Sequence, residues 1–145
     1  MDVSLSGVYF LRAGATLSFI AAAFHVAIIV GGASWYRFFG AGEQMALASE
    51  AGELFPHMLT LAIAAILTLW GLYALSGAGD VTRLPLLKTA LVLITAVYLI
   101  RGLIFVPVFW NTGLYSISFM LWSSAICLVF GVVHLVGLSK LWSTL

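Results

Sequence analysis

Residues 84–108 read LPLLKTALVLITAVYLIRGLIFVPV, an apolar run whose only charged side chains are Lys88 and Arg101. An α-helix rises about 1.5 Å per residue, so a bilayer core about 30 Å thick needs about 20 helical residues. Three further apolar runs reach this length, at about 8–30, 55–75 and 114–138. The sequence therefore predicts an all-α fold, a polytopic membrane protein whose four transmembrane helices form a bundle.

The composition of the whole chain agrees with this class. Of its 145 residues, 63% are hydrophobic and 8% are charged, whereas about 25% of an ordinary soluble domain is charged. Little chain is left for a soluble domain, so residues 1–145 are interpreted as one integral membrane domain. The long apolar runs argue against transmembrane β-strands, in which polar and apolar residues alternate. With a net charge of +1 and no basic patch, the chain is not expected to bind nucleic acid.

A cleaved signal peptide and a cysteine-based redox or metal site are also disfavoured. The apolar core of a signal peptide has about 7–15 residues. The first apolar run is longer than this, so it is interpreted as a retained transmembrane span. The chain has one cysteine, Cys127, which excludes a disulfide, a redox pair or a thiolate zinc site within a single chain.

The placement of basic residues predicts the orientation. On one side of the predicted bundle, Arg37 is the only basic residue. The other side carries both termini and four basic residues: Arg12, Arg83, Lys88 and Lys140. Because Lys and Arg concentrate on the cytoplasmic side of membrane proteins, both termini are predicted to be cytoplasmic, in a bacterial-type inner membrane.

The connection at 33–54 is the longest in the predicted protein. It begins with an aromatic cluster typical of the lipid–water boundary, and residues 43–51 are predicted to form a short interfacial helix. Loops longer than about 12–15 residues are often functional, so this one is a candidate lid over an outward-facing site.

Four polar side chains are expected at similar depths below the outer ends of their helices. His25 lies about six residues before the outer end of its helix, and Arg101 about six residues before Pro107, so both are expected ~9 Å deep. His57 is expected roughly 3 to 6 Å deep, with Glu53 one turn above it on the same face. We therefore predict one outward-facing polar pocket formed by His25, Glu53, His57 and Arg101.

Arg101 has two interpretations. It could anchor an amphipathic ligand through a phosphate, a carboxylate or a quinone oxygen, with Tyr98, one turn away, donating to the same ligand. Alternatively, it forms a structural ion pair with Glu53 or Glu50, or extends its long side chain to the outer interface. The predicted ligand-binding set adds residues near the outer boundary: Trp35, Arg37, Trp110 and Asn111.

The candidate catalytic residues are His25, Glu53 and His57, because a carboxylate beside an imidazole can carry out general acid–base chemistry. The alternative is that each histidine forms an interhelical hydrogen bond worth about 1 kcal/mol. A metal site is the less favoured use, since Arg101 would repel a divalent cation. His134 is expected ~18 Å or more below His25, which excludes a haem held by both, and it is interpreted as structural. The sequence does not identify a cofactor.

In length and number of spans the chain resembles several small bacterial four-helix membrane protein families, the DoxX-like proteins among them. No diagnostic motif accompanies this resemblance, so it implies no site residue and no activity. Three functions stay open: binding or acid–base transformation of a lipid-like small molecule, a non-catalytic subunit or scaffold, and a small transporter or channel. Membrane lipids are expected partners, and a homo-oligomer is expected because four short helices enclose little volume.

Overall fold

Six helices occur in residues 3–145, and four of them are long and apolar enough to cross a membrane. The computed structural model describes residues 3–145, and no strand occurs in that part of the chain. The long helices have a mean hydropathy between 2.0 and 2.3 over their most apolar windows. The all-α prediction with four candidate spans is therefore confirmed. In chain order the helices are α1 (Val3–Gly31), α2 (Ala33–Phe38), α3 (Glu43–Glu50), α4 (Phe55–Ala78), α5 (Leu87–Phe109) and α6 (Ile117–Lys140).

The four long helices form an up-and-down bundle. Helix α1 packs most extensively on α4 and also on α6, and α6 packs along α5. The contact between α4 and α5 is smaller, although these helices are consecutive along the chain. We call the end that carries α2, α3 and the α5–α6 connection the cap end, and the opposite end the terminal end.

The buried core follows the length of the bundle. Small residues of α1, among them Gly14, Ser18 and Ala22, are buried against other helices of the same chain. Such residues let helix backbones approach closely. One apolar cluster lies near the terminal end, with Leu11, Leu87, Leu91, Leu138 and Leu141. A second lies nearer the middle, with Ala22, Leu67, Ile94, Tyr98 and Phe130.

Two glycines set the distance between α5 and α6. A Cβ atom on Gly102 would lie 2.6 Å from Leu128 Cγ, and one on Gly131 would lie 2.6 Å from Leu99 Cδ2. Each glycine thus receives a leucine of the facing helix. This close packing holds α5 in a fixed rotation relative to α6, and that rotation decides where Arg101 points.

The helix bounds differ from the prediction at several ends. Helix α1 begins at Val3, ahead of the predicted first span at about 8–30, and residues 1 and 2 lie outside the described residues. Helix α5 begins at Leu87, after Leu86 in a left-handed conformation with φ 52°. Pro107 lies inside α5, two residues before its end, where its missing N–H removes only one hydrogen bond. Helix α6 begins at Ile117, because the Ser116 side chain accepts a hydrogen bond from the backbone N–H three residues later and caps the helix.

Basic side chains hold the terminal end together. Arg12 donates to both carboxylate oxygens of Asp80, at 2.6 to 3.2 Å, and this guanidinium holds the pKa of Asp80 below its usual value. Lys88 Nζ donates to the Trp142 carbonyl at 2.6 Å and lies over the Trp142 ring. Arg83 donates to carbonyls of the turn at 144–145. These contacts join the α4–α5 connection to α1, and they join that connection and the first turn of α5 to the segment after α6.

Candidate functional site

Arg101 lies half-buried on α5, beside α6. Its Nη2 donates to Ser123 Oγ at 3.2 Å, and its guanidinium carbon lies 3.4 Å from the centre of the Phe105 ring. Its Nη1 is buried and has no hydrogen-bond partner among residues 3–145. Of the five N–H groups of the guanidinium, one therefore donates to a described residue. The geometry is that of a cation stacked on an aromatic ring with most of its donor capacity unused.

An open groove runs beside Arg101. It has a volume of about 320 Å³, at the lower end of the range for ligand pockets. All of its lining comes from α5, and Arg101 is its only charged member. The apolar members are Val97, Ile100, Ile104, Phe105, Val108 and Phe109.

No carboxylate of the described chain neutralises Arg101. Glu43 and Glu50 both pair with Arg37, and Asp80 pairs with Arg12 at the other end of the bundle. Glu53 is exposed and forms no ion pair with a described residue. The structural alternative in which Arg101 pairs with Glu50 or Glu53 is therefore not formed.

The guanidinium does not reach the end of the bundle. Arg101 lies eight residues before the last residue of α5, which corresponds to about 12 Å along the helix. Its partner Ser123 lies six residues after the first residue of α6, or about 9 Å. Arg101 thus stays within the length of both helices rather than extending to their cap end.

Tyr98 does not join Arg101. Its hydroxyl lies 3.0 Å from Ser18 Oγ on α1, and its side chain is buried. Its ring packs edge-on against Trp70 and Phe130 and lies 5.3 Å from the His134 ring, centre to centre. Tyr98 is thus a core residue that contacts three other helices, and it does not line the groove.

Arg37, predicted as a ligand-binding residue, forms a network with two carboxylates of α3. Its Nη2 donates to Glu43 at 2.7 Å, and its Nη1 donates to Glu50. Hydrogen bonding from this guanidinium holds the pKa of Glu50 below its usual value, and the two carboxylates raise the pKa of Arg37. The three side chains clamp α2 to α3, and we call these two short helices together the cap.

A hydrogen-bonded chain, which the sequence analysis missed, attaches the cap to α4. Thr60 Oγ1 donates its proton to the Pro56 carbonyl at 2.8 Å, so the Tyr36 hydroxyl, 3.1 Å away, must donate to Thr60. His57 Nδ1 lies 3.5 Å from the same Tyr36 oxygen, which leaves Nδ1 as the donor. The proton order therefore runs from His57 through Tyr36 and Thr60 to a carbonyl. Both the neutral Nδ1–H tautomer and the protonated ring of His57 can supply this donor.

The other predicted catalytic groups are not brought together. His25 Nδ1 donates to the carbonyl of Ala21, one turn earlier in its own helix, at 2.7 Å. No hydrogen bond, ion pair or ring contact between described residues links His25, Glu53, His57 and Arg101 to one another. The groove beside Arg101 includes none of the first three. The predicted polar pocket is replaced by an apolar groove with a single cation.

The remaining predicted ligand-binding residues lie at the surface of the cap end. Trp35 is 40% exposed and packs on Phe39, and Trp110 is 51% exposed. Asn111 is exposed as well. None of the three lines the groove.

His134 is enclosed in the core. Its Nδ1 donates to the Phe130 carbonyl at 2.8 Å, which leaves Nε2 as a buried acceptor without a partner in the described chain. Its ring lies against Gly14, eleven residues before His25 on α1, or about 16 Å along the helix. The two histidines therefore lie at different levels, and His134 has a packing role in the bundle.

Seven residues of the site escaped the sequence analysis, namely Ser123 and the six apolar members of the groove. Phe105 is one turn from Arg101, and Ile104 and Val97 flank Arg101 at helical spacing, so a helical-wheel plot of α5 would have shown the stripe. Ser123 could be found only from the rotation of α6 against α5. Among residues 3–145, no group of three or more His, Cys, Asp and Glu side chains is placed to hold a metal ion. Compared with protein-family models, curated proteins and solved structures, the chain has no significant match.

Proposed function

We propose that this chain is a small integral membrane protein that binds an amphipathic molecule along α5, with Arg101 holding the polar end. The observation that carries the proposal is a guanidinium with one hydrogen bond, no carboxylate partner in the described chain, and an apolar groove beside it. A charge within the apolar length of a bundle is costly, so such residues usually serve a ligand or a pathway. The groove supplies the apolar contact, and Arg101 supplies the forked donor.

We further propose that the cap end faces away from the cytoplasm in a bacterial-type inner membrane. Support for this orientation comes from the basic residues at the terminal end, two of which donate to backbone carbonyls there. A ligand would then reach the groove sideways from the outer leaflet, since the groove lies on one helix and opens away from the core. Because His25, Glu53 and His57 do not line the groove, the proposal is limited to binding.

As a scaffold, the chain would use small residues on the faces of its helices as interfaces between copies. Those on α1 and α4 that are buried, including Gly14, Ser18, Ala64 and Gly71, pack inside one chain. They are therefore not free to form such an interface, and no described feature favours the scaffold over binding. A homo-oligomer stays a prediction.

The test uses two tryptophan substitutions on neighbouring, exposed positions of α5. Ile104 lines the groove, and Leu103 is exposed but does not line it. We expect Ile104→Trp to fill the groove and Leu103→Trp to leave it open. The purified full chain in detergent would be melted with and without three amphiphiles: a phosphatidylglycerol, a quinone with a decyl chain, and oleate.

In the unmodified chain and in Leu103→Trp, at least one amphiphile should raise the melting temperature, because a ligand that binds only the folded state stabilises it. In Ile104→Trp and Arg101→Ala, that rise should disappear. If no amphiphile stabilises the unmodified chain, or if Ile104→Trp responds as Leu103→Trp does, the proposal is wrong.

A further inference from the structure

The charges of the chain narrow the ligand class. In the described residues, three of the four carboxylates are engaged by Arg37 or Arg12, and the fourth, Glu53, is exposed and unpaired. Arg101 is the guanidinium within a long helix that lacks an acidic partner, whereas Arg12 has Asp80. A cation removed from water is stabilised most by a compensating anion, since a neutral oxygen leaves the net charge in place. The site is thus complementary to an anionic head group rather than a neutral carbonyl.

The position of the guanidinium limits the size of that head group. Measured along α5 and α6, Arg101 and Ser123 lie about 12 Å and about 9 Å from the cap ends of their helices. A phosphodiester head group carries a second substituent, and the lining of the groove offers that substituent no polar side chain besides Arg101. A carboxylate is compact, carries one charge and presents two oxygens to the forked donors of one guanidinium.

The shape of the groove limits the tail. Its apolar members Val97, Ile100, Ile104 and Val108 follow one stripe of α5, spaced at three and four residues. The lining spans residues 97–109, or about 18 Å along the helix. The groove is open and presents a single apolar stripe, which one extended chain can follow along its whole length.

From these three features we infer that the ligand is a single-chain carboxylate, that is, an amphiphile of the fatty-acid type. The carboxylate receives N–H groups of Arg101, including the donors that no described residue uses, and its chain lies along the α5 stripe. Ser123 positions the guanidinium from α6, and the Phe105 ring packs against it. This inference rests on the function proposed above.

Binding of radiolabelled oleate tests the inference, with methyl oleate and a lysophosphatidate of the same chain as competitors. The full chain would be placed in nanodiscs of phosphatidylcholine, which has no net charge. We expect oleate to bind and methyl oleate to compete at least tenfold more weakly, because the ester has no charge. Arg101→Gln should weaken oleate binding at least tenfold, and Arg101→Lys should retain part of it, since Lys keeps the charge but loses the fork.

Each result separates this inference from the broader proposal. If methyl oleate competes as well as oleate, the carboxylate assignment is wrong while binding of an amphiphile stands. If the lysophosphatidate competes more strongly than oleate, the head group is a phosphate and the assignment is again wrong. If oleate binds neither the unmodified chain nor Leu103→Trp, the inference fails, and the melting experiment decides the broader proposal. Should Arg101→Gln not fold, Ile104→Trp gives the same decision, because it leaves Arg101 in place and is expected to exclude the chain of oleate.

Discussion

At the scale of single residues, the bundle positions polar groups by steric fit as much as by hydrogen bonding. The His134 ring lies against the backbone of Gly14, and its Nε2 has no partner in the described chain. An unsatisfied buried acceptor costs about 1–3 kcal/mol, so the ring is held there by its Nδ1 bond and by close packing. Space at Gly14 is therefore a requirement of the fold.

We expect Gly14→Ala to destabilise the protein by about 1–3 kcal/mol, the usual cost of an overpacked core. The added Cβ would lie 2.8 Å from His134 Cε1, in a ring that is enclosed and cannot move away. The measurement is the melting temperature in detergent, which should fall. The control compares His134→Ala with the double variant Gly14→Ala/His134→Ala. Without the imidazole ring, the added methyl group should lower the melting temperature only slightly. An equal loss in both backgrounds would show that the His134 contact is not the cause.

At the scale of elements, hydropathy was sufficient to find the four long helices, because spanning length is a local property of the sequence. The short helix at 43–50 was also predicted, from its helix-forming residues, but α2 was not. Tyr36 of α2 belongs to the aromatic cluster that the sequence places at the lipid–water boundary, but it is 1% exposed and hydrogen-bonded to Thr60. That burial depends on the cap folding back onto α4, which is a tertiary contact without a local signal.

The separation of Tyr98 from Arg101 has a similar origin. Residues three apart on a helix differ by about 60° around its axis, so they share a face only loosely. The packing of α5 on α6 turns Tyr98 into the core and leaves Arg101 at the edge of that interface. Counting residues is enough to estimate the depth of Arg101 along its helix. It does not identify the side chains that contact Arg101, because they depend on how α5 packs against α6.

We expect the cap, α2 with α3, to loosen in acid. The pKa of Glu50 lies below its usual value because Arg37 donates to it, so the pair stabilises the cap above the unfolded carboxylate pKa of about 4.3. That contribution is lost as the pH falls through the lower pKa of the folded state. Hydrogen exchange of residues 33–50, corrected for intrinsic rates, should therefore accelerate between pH 6 and pH 3.

Glu50→Gln serves as the control for this pH dependence. Its cap should exchange faster already at pH 6, and the further acceleration in acid should be smaller. An identical pH response in the variant and the unmodified chain would assign the effect to other groups. Because the ion pairs are exposed, added salt should reduce the difference between the two proteins.

At the scale of the whole molecule, the two ends of the bundle differ in charge and can be distinguished chemically. Glu53 at the cap end and Thr82 at the terminal end are both exposed. We expect a membrane-impermeant maleimide to label Glu53→Cys in intact bacterial cells and Thr82→Cys only after permeabilisation, each in a Cys127→Ala background. The reverse pattern would invert the proposed orientation, and labelling of both in intact cells would contradict a single orientation.

The bond between Arg101 and Ser123 also has a consequence for biosynthesis. Because α5 leaves the ribosome before α6, the translocon meets Arg101 while Ser123 is not yet available. On insertion scales an Arg at the centre of a span costs about 2.5–3.5 kcal/mol, and each Leu, Ile, Val or Phe returns about 0.3–0.6 kcal/mol. Helix α5 has the highest mean hydropathy of the four, 2.3, despite its arginine. The nascent chain thus carries its interior cation in the span best able to enter the bilayer unaided, and α6 supplies the hydroxyl afterwards.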